Sequence, residues 1–289
     1  MKIELTQDSY GKSAVRIAKV VRHIDYHEFK EIHVDIQLEG SFGPVYREGD
    51  NTQVLPTDTM KNTIFALAKE HPLQTIEDFA LFLADYFLQN NPQVSKVRLE
   101  LAQIRWERML LHGQAHPHSY VGGGNEKAIT NVQATRDDVY LQSGIRDLRI
   151  LKTTRSGFEN YRVDKFTTLP PTADRILATE LEAVWHYPTP SGLDFQKTRA
   201  SVREQLLTAF TDHHSLSVQH TLYAMGEAVL KNVPAVAEIC MKMPNLHYLL
   251  VNTKPFGMEN NNEIFLASGD AFGYITGTLK RENTEPEGE

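Results

Sequence analysis

The chain has a single cysteine, Cys240, among its 289 residues. One cysteine cannot form an intramolecular disulfide, and it excludes the multi-cysteine sites that hold structural zinc or iron–sulfur clusters. No hydrophobic stretch approaches the roughly 20 residues that a membrane helix needs, and residues 1–5 lack the apolar segment of a secretory signal. We therefore expect an intracellular protein without a membrane segment.

An excess of positive charge is also lacking. Lysine and arginine total 30 against 37 aspartates and glutamates, so the formal net charge is −7. This balance argues against a nucleic-acid-binding protein that relies on a general basic surface. Hydrophobic residues make up 41% and charged residues 23%, which is typical of a globular protein. The length corresponds to about two domains of roughly 150 residues each.

The first half of the chain combines strand and helix patterns. Apolar residues alternate with polar ones from Ile32 to Leu38, which predicts a strand with one buried face. Thr75, with Asp78 three residues later, predicts the beginning of a helix. A phase change near Ile104 indicates a bulge. The predicted elements are strands over 15–21 and 32–38, helices over 58–71 and 76–90, and a strand from residue 97.

The same order recurs after a glycine-bearing stretch over 113–138, which we expect to be an irregular connection. The predicted elements are strands over 145–153 and 176–185, helices over 197–210 and 218–230, and strands over 238–243, 247–251 and 274–279. The pattern predicts an α+β fold with a duplicated antiparallel sheet and paired helices on one face. We expect domains over 1–137 and 138–289, the second ending in a short polar tail.

The exposed sheet face predicts self-association. Glu31, His33, Asp35 and Gln37 alternate with the apolar residues of their strand, so the other face of the sheet is polar. A polar inner face suits a barrel that several subunits close around water.

Three groups of residues have side chains suited to chemistry. His116 and His118 could hold a metal ion, but no acidic residue stands at a recognisable ligand spacing, so ordered loop histidines are the alternative. Thr57 and Asp58 follow Pro56 at a predicted helix start, where backbone N–H groups can either bind an anion or be capped. Lys12 by itself is compatible with an ordinary surface lysine.

Several segments together resemble the urate oxidase (uricase) family. They occur in the family's order over nearly the whole chain, and the most specific is the run from Leu148 to Arg175, which contains Lys152, Ser156 and Phe158. The other matching segments are Tyr10-Gly11-Lys12, residues 57–63, His116-Pro117-His118-Ser119, Ser217-Val218-Gln219, and Pro244-Asn245-Leu246-His247-Tyr248.

The resemblance implies a fold, an assembly and a reaction. The fold is the tunnelling fold (T-fold), with two tandem domains per chain and a homotetrameric barrel whose active sites lie at subunit interfaces. The reaction converts urate, O2 and water into 5-hydroxyisourate and hydrogen peroxide, with neither a metal nor an organic cofactor. The enzyme would be an oxidoreductase of purine degradation, with urate and O2 as its small-molecule partners.

The resemblance also implies the site residues. Phe158 would stack on the flat urate ring, while Arg175 and Gln219 would pair with its two opposite edges. Main-chain contacts are implied from Val218, Thr57 and Asp58, the last two from a neighbouring subunit. Asn245 and Thr57 would hold O2 or water above the ring. The implied proton relay consists of Lys12, Thr57 and His247.

Two alternatives belong to other classes. One is a purine- or pterin-binding hydrolase or aldolase of the same fold, whose zinc-using members need a histidine cluster. The other is a purine-binding or assembly protein without activity. The acidic end of the chain, residues 285–289, lacks the Ser-Lys-Leu signal for the peroxisome, so we expect a bacterial, cytoplasmic protein.

Overall fold

The computed structural model describes residues 3–269 and 271–282, so the predicted polar tail over 285–289 lies outside the described residues. The chain divides into two compact units. Unit 1 comprises Met1–Gly144 with Pro190–Gln196, and unit 2 comprises Ile145–Thr189 with Lys197–Glu289. The division after Gly144 falls inside a strand. The domain boundary at 137/138 stays a prediction.

Unit 1 contains an antiparallel sheet and the helices that cover it. Its strands are β1 (Tyr10–Arg22), β2 (His27–Gly40), β3 (Val94–Leu111) and β4 (Gln114–Ala134), which pair in that order. Its helices are α1 (Gly43–Glu48), α2 (Thr57–Glu70) and α3 (Ile76–Asn90). The strand β5 (Val139–Lys152) begins in unit 1 and ends in unit 2.

The core of unit 1 follows from the alternation of β2. Ile32, Val34, Ile36 and Leu38 are at most 1% exposed, while the residues between them are partly exposed or exposed. Helix α2 packs on β1, and α3 packs on β3 and β4. Helix α3 begins as predicted, because the Thr75 hydroxyl accepts a hydrogen bond from the Asp78 amide at 3.1 Å. The predicted bulge is also confirmed, since the pairing of β3 with β4 shifts register after Ile104.

The expectation of an irregular connection over 113–138 is wrong. Most of this stretch is β4, a strand of 21 residues that pairs with β3. Much of it is exposed on both faces, so its sequence need not alternate. Two of its glycines are required by the geometry of the strand. Gly124 has a φ of +88°, and a Cβ atom on Gly123 would lie 2.5 Å from Cγ of Arg105.

Unit 2 repeats the arrangement. The second part of β5 is followed by β6 (Leu177–His186), β7 (Glu238–Leu246) and β10 (Gly273–Lys280), which pair in the order β5-β6-β7-β10. The helices are α4 (Phe195–Asp212) and α5 (Val218–Asn232). A separate hairpin of β8 (Tyr248–Leu250) and β9 (Phe265–Ala267) lies between β7 and β10 along the chain. These observations confirm the predicted α+β class.

The two units share details as well as element order. A lysine on the first strand of each unit donates to a carbonyl in the last turn of that unit's first long helix. Lys19 Nζ lies 2.8 Å from the Ala68 oxygen, and Lys152 Nζ lies 3.2 Å from the Phe210 oxygen. Each first strand also contains one residue with positive φ, Ala14 at 57° and Asp147 at 61°. None of the described helices is both long and apolar enough to cross a bilayer.

Candidate functional site

A cavity of about 430 Å³ lies in unit 2. It is bounded by the connection between β5 and β6, the beginning of α5, the end of β7 and the β8–β9 hairpin. Six of the residues predicted for the site line it: Phe158, Arg175, Val218, Gln219, Asn245 and His247. These residues are far apart in sequence, so the fold of unit 2 alone brings them together.

Arg175 places a cation in this cavity. Its backbone amide donates to the Ser156 oxygen at 2.7 Å, which fixes the residue two positions before β6. Its Nε atom is buried and has no hydrogen-bond partner among the described residues. Burial lowers the pKa of Arg175 from its usual value, although a guanidinium stays charged at any physiological pH. A partly buried guanidinium whose Nε donor is free favours an anionic ligand with acceptor atoms.

Phe158 supplies an aromatic surface. Its ring stacks on Tyr161 with centroids 4.9 Å apart, and the Arg175 guanidinium carbon lies 5.8 Å from the Phe158 centroid. The backbone of Phe158 exchanges hydrogen bonds with Thr172, at 2.7 and 3.1 Å. The ring is therefore held by the same segment that carries the arginine, and the pair suits a flat, anionic ligand.

The beginning of α5 adds N–H donors. Ser217 caps the helix by accepting from the His220 amide at 3.1 Å, so this cap does not use the amides of Val218 and Gln219. The first turn of α5 contains no acidic residue. The positive end of the helix dipole therefore faces the cavity without a neutralising side chain from its own first turn.

Asn245 and His247 lie at the end of β7 and just beyond it. Asn245 is opposite Thr179 of β6 and Gly273 of β10, and both Asn245 and His247 are partly exposed. The His247 carbonyl accepts from the Ser268 amide at 3.0 Å, which ties the residue to the chain beyond β9. Both side chains thus line the cavity from backbone positions that are held by strand pairing or a hydrogen bond.

The remaining predicted residues, Lys12, Thr57 and Asp58, belong to unit 1. Thr57 and Asp58 begin α2 after Pro56, which provides no side-chain cap. Asp58 accepts from Lys61 at 2.5 Å and from Asn62 at 3.0 Å. The Lys61 hydrogen bond and charge lower the pKa of Asp58, with a smaller contribution from the charge of Lys12. The structure thus places Lys12 on β1 near the uncapped start of α2, and the Thr57 and Asp58 amides remain available to a ligand.

The histidine pair lies elsewhere, on the strand β4. The His116 and His118 rings contact each other, with centroids 4.5 Å apart. Within residues 3–269 and 271–282, no three His, Cys, Asp or Glu side chains are grouped so that they could hold a metal ion. Both histidines lie within the strand β4, so the expectation of ordered loop histidines is wrong.

Sequence reasoning missed two parts of the cavity. One is the wall formed by the β8–β9 hairpin, which includes Leu250, Asn262 and Phe265. Short apolar segments without functional side chains gave no signal for it. The other is Asp174, which lines the cavity beside Arg175. Its position directly before a predicted binding arginine was the one available signal.

Comparison with known proteins identifies the family. The profile of the Uricase family matches residues 8–133 and 141–276, in agreement with two tandem copies of one domain. The uricase of Arthrobacter globiformis is 39% identical, covering 98% of this chain and 92% of that protein, and the rabbit (Oryctolagus cuniculus) uricase is 35% identical over 97% and 95%. The crystal structure of the Arthrobacter uricase superposes with a TM-score of 0.93 and 38% identity, covering 100% of this chain and 98% of that one. The chain belongs to the uricase family.

Proposed function

We propose that this protein is a urate oxidase that converts urate, O2 and water into 5-hydroxyisourate and hydrogen peroxide. The observation that carries the proposal is the unit 2 cavity, which is lined by Phe158, the partly buried Arg175 and the start of α5, whose Val218 and Gln219 amides are not used by the Ser217 cap. Urate is flat, anionic and rimmed with donors and acceptors, so each of these groups has a matching part of the ligand. The family membership supports the same reaction.

We further assign the recognition of the ring edges to two side chains. Arg175 pairs with one edge through its fork of N–H donors, and the Gln219 amide, which has both a donor and an acceptor, reads the opposite edge. Gln219 is exposed at the start of α5, so its side chain is free to turn toward a ligand. A site that pairs with every edge group discriminates against analogues that lack one.

The proton transfers belong to Lys12, Thr57 and His247 in this proposal. Urate must lose a proton before it can transfer an electron to O2, and the resulting radicals combine into a hydroperoxide. Elimination of hydrogen peroxide and addition of water then give 5-hydroxyisourate. Lys12 lies on β1 and Thr57 begins α2, both in unit 1, while His247 lines the cavity of unit 2. Asn245 is assigned to holding O2 or water above the ring, and the protein's contribution is positioning and acid–base catalysis.

The proposed assembly is a homotetramer with active sites at subunit interfaces. Apolar side chains on the β8–β9 hairpin are half exposed in the single chain, with Leu249 at 50%, Leu250 at 51% and Leu266 at 56%. The strand β10 is the last of its sheet in unit 2 and carries Tyr274 at 63% exposure. Exposed apolar side chains beside an open strand edge are typical of surfaces that a second subunit covers. Sedimentation equilibrium measures the mass of the assembly, which should be four times the 32.8 kDa of the chain.

The test of the reaction is a stoichiometry. Purified protein is treated with a chelator, and the loss of urate absorbance, the uptake of O2 and the formation of peroxide are recorded together. Equal changes in all three quantities are expected. Turnover that disappears with the chelator and returns with zinc would support the metal-dependent alternative. Binding of urate without turnover would assign the protein to the non-catalytic class.

A further inference from the structure

We propose that Asp174 is a positioning residue, whose carboxylate fixes the segments that carry Phe158 and Arg175 so that both side chains face the cavity. The inference rests on the proposed function and adds a residue to it. Asp174 itself is exposed and lies directly before Arg175, at the end of the long connection between β5 and β6. Its effect on a ligand therefore passes through its neighbours.

The Asp174 carboxylate accepts hydrogen bonds from residues at the other end of that connection. The Thr154 hydroxyl donates to one oxygen at 2.7 Å, and the Ser156 amide donates to the other at 3.2 Å. The Thr154 hydrogen bond makes the largest contribution to lowering the pKa of Asp174, and hydrogen bonds from backbone amides, including that of Arg175, add to it. The residue is thus an ionised acceptor that joins the two ends of the connection.

These contacts of the Asp174 carboxylate with Thr154 and Ser156, here called the Asp174 joint, lie next to Phe158 and Arg175. The Arg175 amide donates to the Ser156 oxygen at 2.7 Å, so the carboxylate of Asp174 and the backbone of Arg175 contact the same residue. Two residues further on, Phe158 and Thr172 form an isolated antiparallel bridge. The Thr172 hydroxyl donates to the backbone carbonyl oxygen of Asp174 at 3.0 Å, which ties this bridge to the same residue. Loss of the carboxylate removes its hydrogen bonds to Thr154 and Ser156, and a loosened Ser156 weakens the backbone support of Arg175.

The Asp174 joint is also connected to the start of α5, through Ser156. Ser156 and Ser215 form a parallel bridge, in which the Gly157 amide donates to the Ser215 oxygen at 2.8 Å and the Ser215 amide donates to the Arg155 oxygen at 2.9 Å. Ser156 and Ser215 are fully buried. Ser215 precedes the cap residue Ser217 by two positions, so the bridge sets the distance between the arginine and the helix amides.

The requirement is for a carboxylate rather than for any polar group. Every hydrogen bond to the Asp174 carboxylate is donated by a hydroxyl or a backbone amide. An asparagine would turn an NH2 group toward some of these donors. Asp164 in the same connection provides a matched comparison. Its side chain accepts from the Phe166 amide at 2.9 Å and the Thr167 hydroxyl at 3.1 Å, in a local turn that is not part of the cavity wall.

The experiment compares Asp174→Asn with Asp164→Asn in the full-length protein. Urate affinity is measured by titration under nitrogen, and kcat and KM are measured in air. We expect Asp174→Asn to raise the dissociation constant and KM for urate by about tenfold or more, with kcat changed less than about threefold, because misplaced binding groups weaken a fixed geometry. Asp164→Asn should match the wild type in all three quantities.

A second measurement does not depend on urate. Amide hydrogen exchange, followed by mass spectrometry, should become at least about tenfold faster at residues 155–158 in Asp174→Asn, because exchange follows local opening. It should stay unchanged there in Asp164→Asn and in the core strand β2 of both variants. Unchanged exchange at 155–158 would overturn the positioning role, whether or not the wild type acts on urate. Wild-type protein that neither binds nor oxidises urate would overturn the proposed function and leave the exchange result to decide on Asp174.

Discussion

The helices α3 and α5 occupy the same place in their units but differ in the charge at their beginnings. Both are second helices of a pair, and both are capped by a hydroxyl, that of Thr75 in α3 and that of Ser217 in α5. The first turn of α3 contains Glu77 and Asp78, whereas that of α5 contains no acidic residue. Carboxylates stabilise a helix start by neutralising its dipole, and their absence leaves the dipole for a ligand.

The surroundings of the two helix starts differ in the same direction. A pocket at the start of α3 in unit 1 is lined by Glu28 and Asp78, and its Lys30 amine already donates to the Gln74 oxygen at 2.8 Å. The cavity at the start of α5 contains the Arg175 guanidinium instead. The connection between the first two strands of each unit also differs, with four residues between β1 and β2 and the long segment bearing Phe158 between β5 and β6. One scaffold thus yields an acidic pocket in unit 1 and, in the proposed function, an anion site in unit 2.

Removing the Arg175 guanidinium should have the largest effect on the difference between the two units. We expect Arg175→Ala to lower kcat/KM for urate by about 10³-fold, mainly through binding, because it deletes a partly buried charge opposite an anion. The matched control is Arg162→Ala, since Arg162 is exposed in the same connection and does not line the cavity. Steady-state kinetics with urate check both variants. An affinity for urate within threefold of the wild type would contradict the assignment of Arg175.

Substitutions in unit 1 should separate chemistry from binding. We expect Lys12→Met and Thr57→Ala each to reduce kcat by about 10²-fold or more, the scale of general acid–base catalysis, while urate binding is largely kept. Lys69→Met serves as the control, since Lys69 is exposed on α2. Anaerobic titrations and turnover in air distinguish the two effects. If these variants lost affinity and not turnover, the relay would be wrongly assigned.

Giving α5 the charge pattern of α3 should weaken its site. We expect Gln219→Glu to raise the dissociation constant for urate by roughly 10- to 30-fold, because a carboxylate neutralises the helix start and repels the anion. Gln114→Glu adds the same charge at the exposed start of β4 and should change nothing. Isothermal titration calorimetry of both variants measures the effect. Equal affinities would mean that the acidic residues of α3 do not explain the difference between the units.

The shared scaffold should respond alike in both units. We expect Lys19→Met and Lys152→Met each to lower the free energy of unfolding by about 1 to 3 kcal/mol, because each leaves helix-terminal carbonyls without a charged donor. Lys69→Met again provides the control. Urea denaturation, followed by circular dichroism, gives the values. A large loss in one unit with no loss in the other would argue that the two lysines are not equivalent.

The sequence allowed local structure to be predicted wherever one face was buried. The alternation of β2 and the cap of α3 are confirmed because burial and capping leave a direct pattern in adjacent residues. Strand β4 was missed because its exposed hairpin imposes no alternation and its glycines resemble a turn. Helix α1, of six residues and with no buried residue, was also missed, since it leaves no apolar stripe.

The site could be predicted only in part. Chemistry of single residues suggested an anion-binding helix start at Thr57, but the convergence of Phe158, Arg175 and Gln219 depends on tertiary contacts over long separations. The resemblance to the family supplied those residues. Their roles stay predictions. Asp174 was missed because the proposed positioning role depends on donors some twenty positions earlier, which no local pattern indicates.

We expect unit 2 to contain the anion site and its counterpart in unit 1 not to bind urate. A titration of the wild-type protein with urate under nitrogen, with the chain concentration known independently, measures the number of sites. We predict one urate per chain, and no measurable binding in the same concentration range for Arg175→Ala. Two urates per chain, or one that persists in Arg175→Ala, would contradict the account.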